Sequence, residues 1–209
     1  MALLKSLFYG SEGSYNIFGI QVTFENDQSS NPTDRVLNGA GLVSKLVLKI
    51  LKCDAFHHVT QSNLHVFMHE MGHALACKVF TGQNSEVRII DKRGGYTRPP
   101  NLIEQVSDWK KTMMEMAGPM GDVTFSICKL VVATTFKSYV SWPVALFIGI
   151  GAAFWISGEL LYAYVSALKK DNGDFGKIAQ RGNTHLAFAT VALISQCVLG
   201  IFAAIKLAA

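Results

Sequence analysis

Residues 184–205, THLAFATVALISQCVLGIFAAI, contain no formally charged side chain. A run of that length matches the roughly 20 apolar residues an α-helix needs to cross the hydrocarbon core of a bilayer, about 30 Å thick. Residues 142–168, WPVALFIGIGAAFWISGELLYAYVSAL, form a second such run with one charge, Glu159. A third, 113–136, is interrupted by Glu115, Asp122 and Lys129. A soluble helical protein with apolar core helices is the competing explanation, and two nearly uncharged stretches of this length argue against it. Charged residues make up only 16% of the chain, against roughly 25% in an average soluble domain. Trp142, Tyr162 and Tyr164 lie near segment ends, where aromatic side chains suit a membrane interface. The chain therefore reads as an all-α polytopic membrane protein, a bundle of about four to five membrane helices.

The remaining segments divide into two parts. Residues 1–35 are polar and turn-rich, with a short strand expected over 17–24 (IFGIQVTF), and residues 36–209 form the membrane-embedded domain. The opening MALLKSLFYGSEGS has too short an apolar run for a secretory signal, so the N-terminus is expected to be retained. Residues 36–52 place Val43, Leu46, Val47 and Ile50 on one helical face, which suits a helix at a membrane surface or one packed on a core. The four cysteines are scattered without a close pair, so neither a disulfide framework nor a thiolate zinc knuckle is indicated. The net charge of +4 is modest, and no basic stripe interleaved with aromatics favours a nucleic-acid partner.

The chemistry lies at HVFMHEMGHALACKVF, residues 65–80, on a helix expected over about 63–80 with Ser62 or Asn63 as N-cap. His69 and His73 are four apart, so they project from one helical face and can share a zinc ion at about 2.0–2.1 Å from each ring nitrogen. Glu70 can take the proton of a metal-polarised water without being a ligand, so it is the expected catalytic base. Gly72 leaves room for a substrate or a neighbouring helix. A chance HExxH on a core helix is the bland alternative; ionisable residues beside membrane segments weigh against it. His65 extends the series, but it lies about 12 Å along the helix from His73, so one ion cannot bind all three. Cys77 is expected to be buried. His57, His58 and His185 fall outside any ligand spacing and are expected at a surface or interface.

In HEMGHALA, the later RGGYT, the MAGPMGD that opens an apolar helix, and an Asp after a further span, the chain resembles the site-2 protease family of intramembrane zinc metalloproteases. The resemblance covers about residues 63–180 and leaves the first 60 unaccounted for. It implies one zinc ion, a bilayer environment, a membrane-protein substrate and a distant Asp as third ligand. It also implies that Gly94, Gly95 and Tyr96 lie in a loop or edge strand beside the site and bind substrate as an added strand; an ordinary hairpin turn fits that segment equally well, so a small β-hairpin is expected beside the zinc site. Two departures stand out: Asp122 occupies a position where the family usually has Asn, and the family's Leu-Asp-Gly is replaced by KKDNGDFGKI.

That second departure leaves Asp171 and Asp174 as candidates for the third ligand, with Asp122 as an outsider. Tetrahedral catalytic zinc requires three protein ligands and one open position. Asp171 follows two lysines and reads as a solvated loop residue, though its Asp-x-Gly favours it through the resemblance. Asp174 precedes Phe175 and Ile178, whose packing would hold it rigid, or it is simply an N-cap. Rigidity makes Asp174 the expected ligand.

Topology adds a check on the charges. Residues 81–111 and 169–183 emerge on the same side of the two intervening spans and hold six and four Lys or Arg, whereas 137–141 holds only Lys137. The positive-inside rule turns the basic segments toward the cytoplasm, with His73 about 10 Å from that helix end. The expected function is intramembrane zinc metalloendopeptidase activity. Alternatives are a membrane-anchored zinc peptidase acting on soluble peptides and a non-catalytic scaffold, the intact Glu70 arguing against the latter.

Overall fold

The computed structural model describes Leu3, Ser6 and residues 12–25, 62–90, 94–98, 105–136, 139 and 141–208. The amphipathic stretch at 36–52, His57 and His58 lie outside the described residues. The fold is mostly helical. Among the described residues there are five helices of eight or more residues, α1 (Ser62–Thr81), α2 (Asp108–Thr135), α3 (Trp142–Lys169), α4 (Asp174–Arg181) and α5 (Asn183–Ala208). Four strands, β1 (Gly13–Ile17), β2 (Ile20–Glu25), β3 (Glu86–Ile90) and β4 (Gly94–Arg98), make one sheet in chain order.

The sheet differs from the single short strand expected near the N-terminus. Phe18 and Gly19 both take positive φ, 53° and 80°, and turn the chain in the middle of IFGIQVTF. Two positive-φ residues are what a tight hairpin needs to match the twist of its strands. The left-handed region costs a non-glycine residue roughly 1–2 kcal/mol. Asn16 Oδ1, accepting Gly19 N–H at 2.9 Å, offsets part of that at Phe18. Burial has the stronger effect: Ile20, Val22, Phe24, Val87 and Ile89 form one apolar face, packed with Met71 and Ala74 of α1. Each such large side chain contributes about 1.5–3 kcal/mol, so the packed face outweighs the strained turn. β2 pairs with β3 in parallel and β3 with β4 antiparallel, which leaves β4 as an edge among the described residues. The RGGYT segment is thus a strand from Gly94 onward.

α1 ends at Gly82, whose φ of 73° and N–H bond to Lys78 O at 2.8 Å form a left-handed C-terminal cap. α2 carries Pro119 in its interior and so lacks one ladder hydrogen bond. Behind the sheet layer, α2, α3, α4 and α5 enclose a second core that includes Met116, Val123, Ile156, Phe175, Ile178 and Leu193. Three helices, Asp108–Thr135, Trp142–Lys169 and Asn183–Phe202, are long and apolar enough to cross a membrane. Their outer faces present large apolar side chains such as Ile150, Leu161, Val191, Leu199 and Phe202. Exposed apolar surface on this scale needs a cover that water does not provide. α1 is not among the three; His65, His69, Glu70, His73 and Lys78 interrupt it.

Candidate metal centre

Small residues bring α1 and α2 together. A Cβ at Gly72 would overlap the Ala117 carbonyl oxygen. A Cβ at Gly118 would overlap His73 Nε2 and lie 2.8 Å from His69 Nε2. Ala117 therefore packs against Gly72 of α1, and glycine at 118 lets both imidazoles lie against α2 with their inner nitrogens unobstructed.

The hydrogen bonds on the outer nitrogens assign the tautomers. His73 Nδ1 lies 2.7 Å from the Met114 carbonyl oxygen, and His69 Nδ1 lies 2.8 Å from Asp122 Oδ2. Both partners only accept, so both Nδ1 atoms carry the proton and both Nε2 atoms present lone pairs. These two Nε2 atoms are 3.1 Å apart. Asp174 closes the group, with Oδ2 3.1 Å from His69 Nε2 and Oδ1 3.4 Å from His73 Nε2. Two lone pairs and a carboxylate facing one another repel unless a cation stands among them. Two imidazoles and one carboxylate, each ring anchored through its other nitrogen, fit the donor set of a catalytic zinc.

Asp174 is positioned by the chain around it. α3 ends at Lys170 in a left-handed conformation, and α4 begins at Asp174 after Gly173. Phe175 and Ile178 are buried to 1% and 0% exposure, which fixes α4. Asp174 N–H donates to Tyr162 Oη at 3.0 Å, and that hydroxyl faces Asp174 Oδ2 at 3.4 Å. Asp171 serves the turn instead: its Oδ1 accepts from Ser166 Oγ at 2.6 Å and Gly173 N at 2.9 Å. Those two hydrogen bonds hold the Asp171 carboxyl below its ordinary range.

Glu70 is buried, and its Oε2 receives the Thr97 hydroxyl, 2.7 Å away; the same hydroxyl lies 2.9 Å from the Glu70 carbonyl oxygen. Gly95 makes this contact possible, since a Cβ there would come within 2.9 Å of Glu70 Cγ. Glu70, His69, His73, Asp174, Tyr96 and Tyr162 share a cavity of about 360 Å³, and Gly95 lies in its wall. Gly94 stands at the start of β4 with φ of 115°.

Other side chains complete the surroundings of the site. Tyr162, expected at a membrane interface, lines the cavity because Glu159, Tyr162 and Ser166 share the polar face of α3. Polar residues in an otherwise apolar span were the signal for it. Sequence reasoning missed Thr97 as well; it lies two residues beyond Gly95 and so on the same strand face. His185, expected at a surface or interface, is half-buried: its Nδ1 is 2.9 Å from Thr112 Oγ1, and its ring stands 4.2 Å from that of Trp109. Cys77 is buried and in the cavity wall. A second cluster, His69, Asp122 and Glu159, also has its donor atoms within 4.8 Å of one another. It suits a metal less well, because the His69 Nδ1 proton points into it.

A family model described as Peptidase M50B-like matches residues 45–169, and the chain belongs to that family, a site-2 protease family. Its peptidases are generally zinc-dependent. No curated protein and no solved structure matches the chain significantly.

Proposed function

We propose that the chain is an intramembrane zinc metalloendopeptidase that hydrolyses a peptide bond in or near a transmembrane segment of another membrane protein. The observation that supports this most strongly is the convergence of two imidazole lone pairs and the Asp174 carboxylate beside a buried Glu70. His69, His73 and Asp174 would hold one zinc ion, which when bound supplies a Lewis acid to polarise a carbonyl and to acidify water. Glu70 is the proton acceptor, held by the Thr97 hydroxyl on β4. It later returns that proton to the leaving amine. Gly94, Gly95 and Tyr96 receive the substrate as an added strand on β4, the edge strand among the described residues, which requires the substrate helix to unwind locally.

α2, α3 and α5 cross the bilayer, and α1 lies within it against α2. The site faces the cytoplasmic side, on the strength of the basic residues at 81–111 and 169–183. A cysteine at Gln180 should then label from the cytoplasmic side and one at Tyr139 from the opposite side; labelling of both from one side would refute this topology.

The function is tested by incubating the purified protein in detergent with a single-span membrane protein. Cleavage should stop with 1,10-phenanthroline and return with added zinc. Chelator-resistant cleavage, or cleavage of soluble peptides alone, would contradict the proposal.

A further inference from the structure

Behind His69, on the side away from the cavity, lies a chain of polar side chains that the peptidase chemistry does not use. Lys129 Nζ is 2.7 Å from His65 Nε2. His65 Nδ1 is 3.3 Å from Asp122 Oδ1, and Asp122 Oδ2 is the atom that receives His69 Nδ1. An ammonium group only donates, so His65 Nε2 accepts and its Nδ1 carries the proton toward Asp122. Every bond in the series then has one direction: Lys129 to His65, His65 to Asp122, and His69 to the same carboxylate.

The setting makes this series rigid and costly to break. His65 is 0% exposed and Asp122 3%. Trp155 stacks on the His65 ring at 4.3 Å with an interplanar angle of 13°, and Phe125 meets it edge-on at 4.9 Å. Lys129 Nζ lies 5.1 Å from the centre of the Phe125 ring. His65 stands one helical turn before His69 on α1, and Lys129 stands two turns after Asp122 on α2, so the helix crossing itself sets the register. A carboxylate buried this deeply is expensive without a compensating cation, and Lys129 supplies one through His65.

We infer that Lys129, His65 and Asp122 form a positioning relay for the metal site, in which Lys129, acting through His65, fixes the place of the Asp122 carboxylate that orients His69. The relay rests on the zinc reading proposed above. Asp122 fixes the His69 tautomer and ring plane, and partners of this kind are worth 10–100-fold in metal affinity. Lys129 and His65 act only through Asp122; neither touches the cavity.

Zinc dissociation constants of the intact protein in detergent, measured by competition with a chelating dye, test the relay. Asp122→Asn and Lys129→Met should each weaken zinc binding by roughly 10–100-fold. Because the two charges act as one unit, Asp122→Asn/Lys129→Met should bind zinc no more weakly than either single variant. This double variant removes the buried Asp122 charge together with its partly buried Lys129 partner, so it reports on the coupling even where Lys129→Met alone folds poorly. The cobalt-substituted Lys129→Met protein should show an altered visible spectrum, which a purely structural lysine would leave unchanged. Wild-type zinc affinity and cobalt spectrum in Lys129→Met, or losses that multiply in the double variant, would overturn the relay. A wild-type protein that binds no zinc would overturn the underlying zinc reading and the relay with it.

Discussion

Glu70→Gln should abolish peptide cleavage while leaving zinc in place. The substitution keeps the size of the side chain and a carbonyl oxygen that can still accept from Thr97, 2.7 Å away. It removes the cavity carboxylate that the proposed chemistry uses to take a proton from water. General base catalysis contributes about 10²–10⁴-fold, so turnover should fall by at least that factor. Metal analysis of the same preparation should match wild type, since His69, His73 and Asp174 are untouched. Cleavage at the wild-type rate would remove Glu70 from the mechanism.

Asp174→Ala should cost both zinc and activity, whereas Asp171→Ala should retain both. Asp174 faces both imidazoles at 3.1 and 3.4 Å, and without it two neutral nitrogens remain, an incomplete set for zinc. Asp171 instead receives Ser166 and Gly173 within its own turn. Its removal loosens the approach to α4 without opening the metal site. Zinc content of the two purified variants, measured side by side, decides the matter. Zinc lost from Asp171→Ala and kept in Asp174→Ala would transfer the third position to Asp171.

The legible parts of the sequence were those with a short period or a strong composition. The spans at 142–168 and 184–205 announce themselves through the absence of charge, and the structure has helices there at Trp142–Lys169 and Asn183–Ala208. The HExxH helix is local, so its extent was readable to within a residue or two at each end. The sheet was not. Its parallel pairing of β2 with β3 joins residues more than 60 positions apart, and no local pattern encodes that contact. The turn at Phe18 was hidden because a β-favouring aromatic occupies a positive-φ position that usually selects Gly or Asn. Asp122 and Lys129 looked like interruptions of an apolar span. They take on meaning only when α1 brings His65 and His69 to them, since a buried charge is explained by its partner and not by its neighbours in sequence.

X-ray absorption at the zinc edge of the purified protein tests most directly whether His69, His73 and Asp174 hold one zinc ion. One zinc per chain is expected, with two imidazole nitrogens at about 2.0–2.1 Å and carboxylate oxygen at about 2.0–2.2 Å around the metal. The Asp174→Ala protein should lose that signal. A metal-free wild-type protein, or a zinc ion bound by sulfur or by a single imidazole, would contradict the proposed centre.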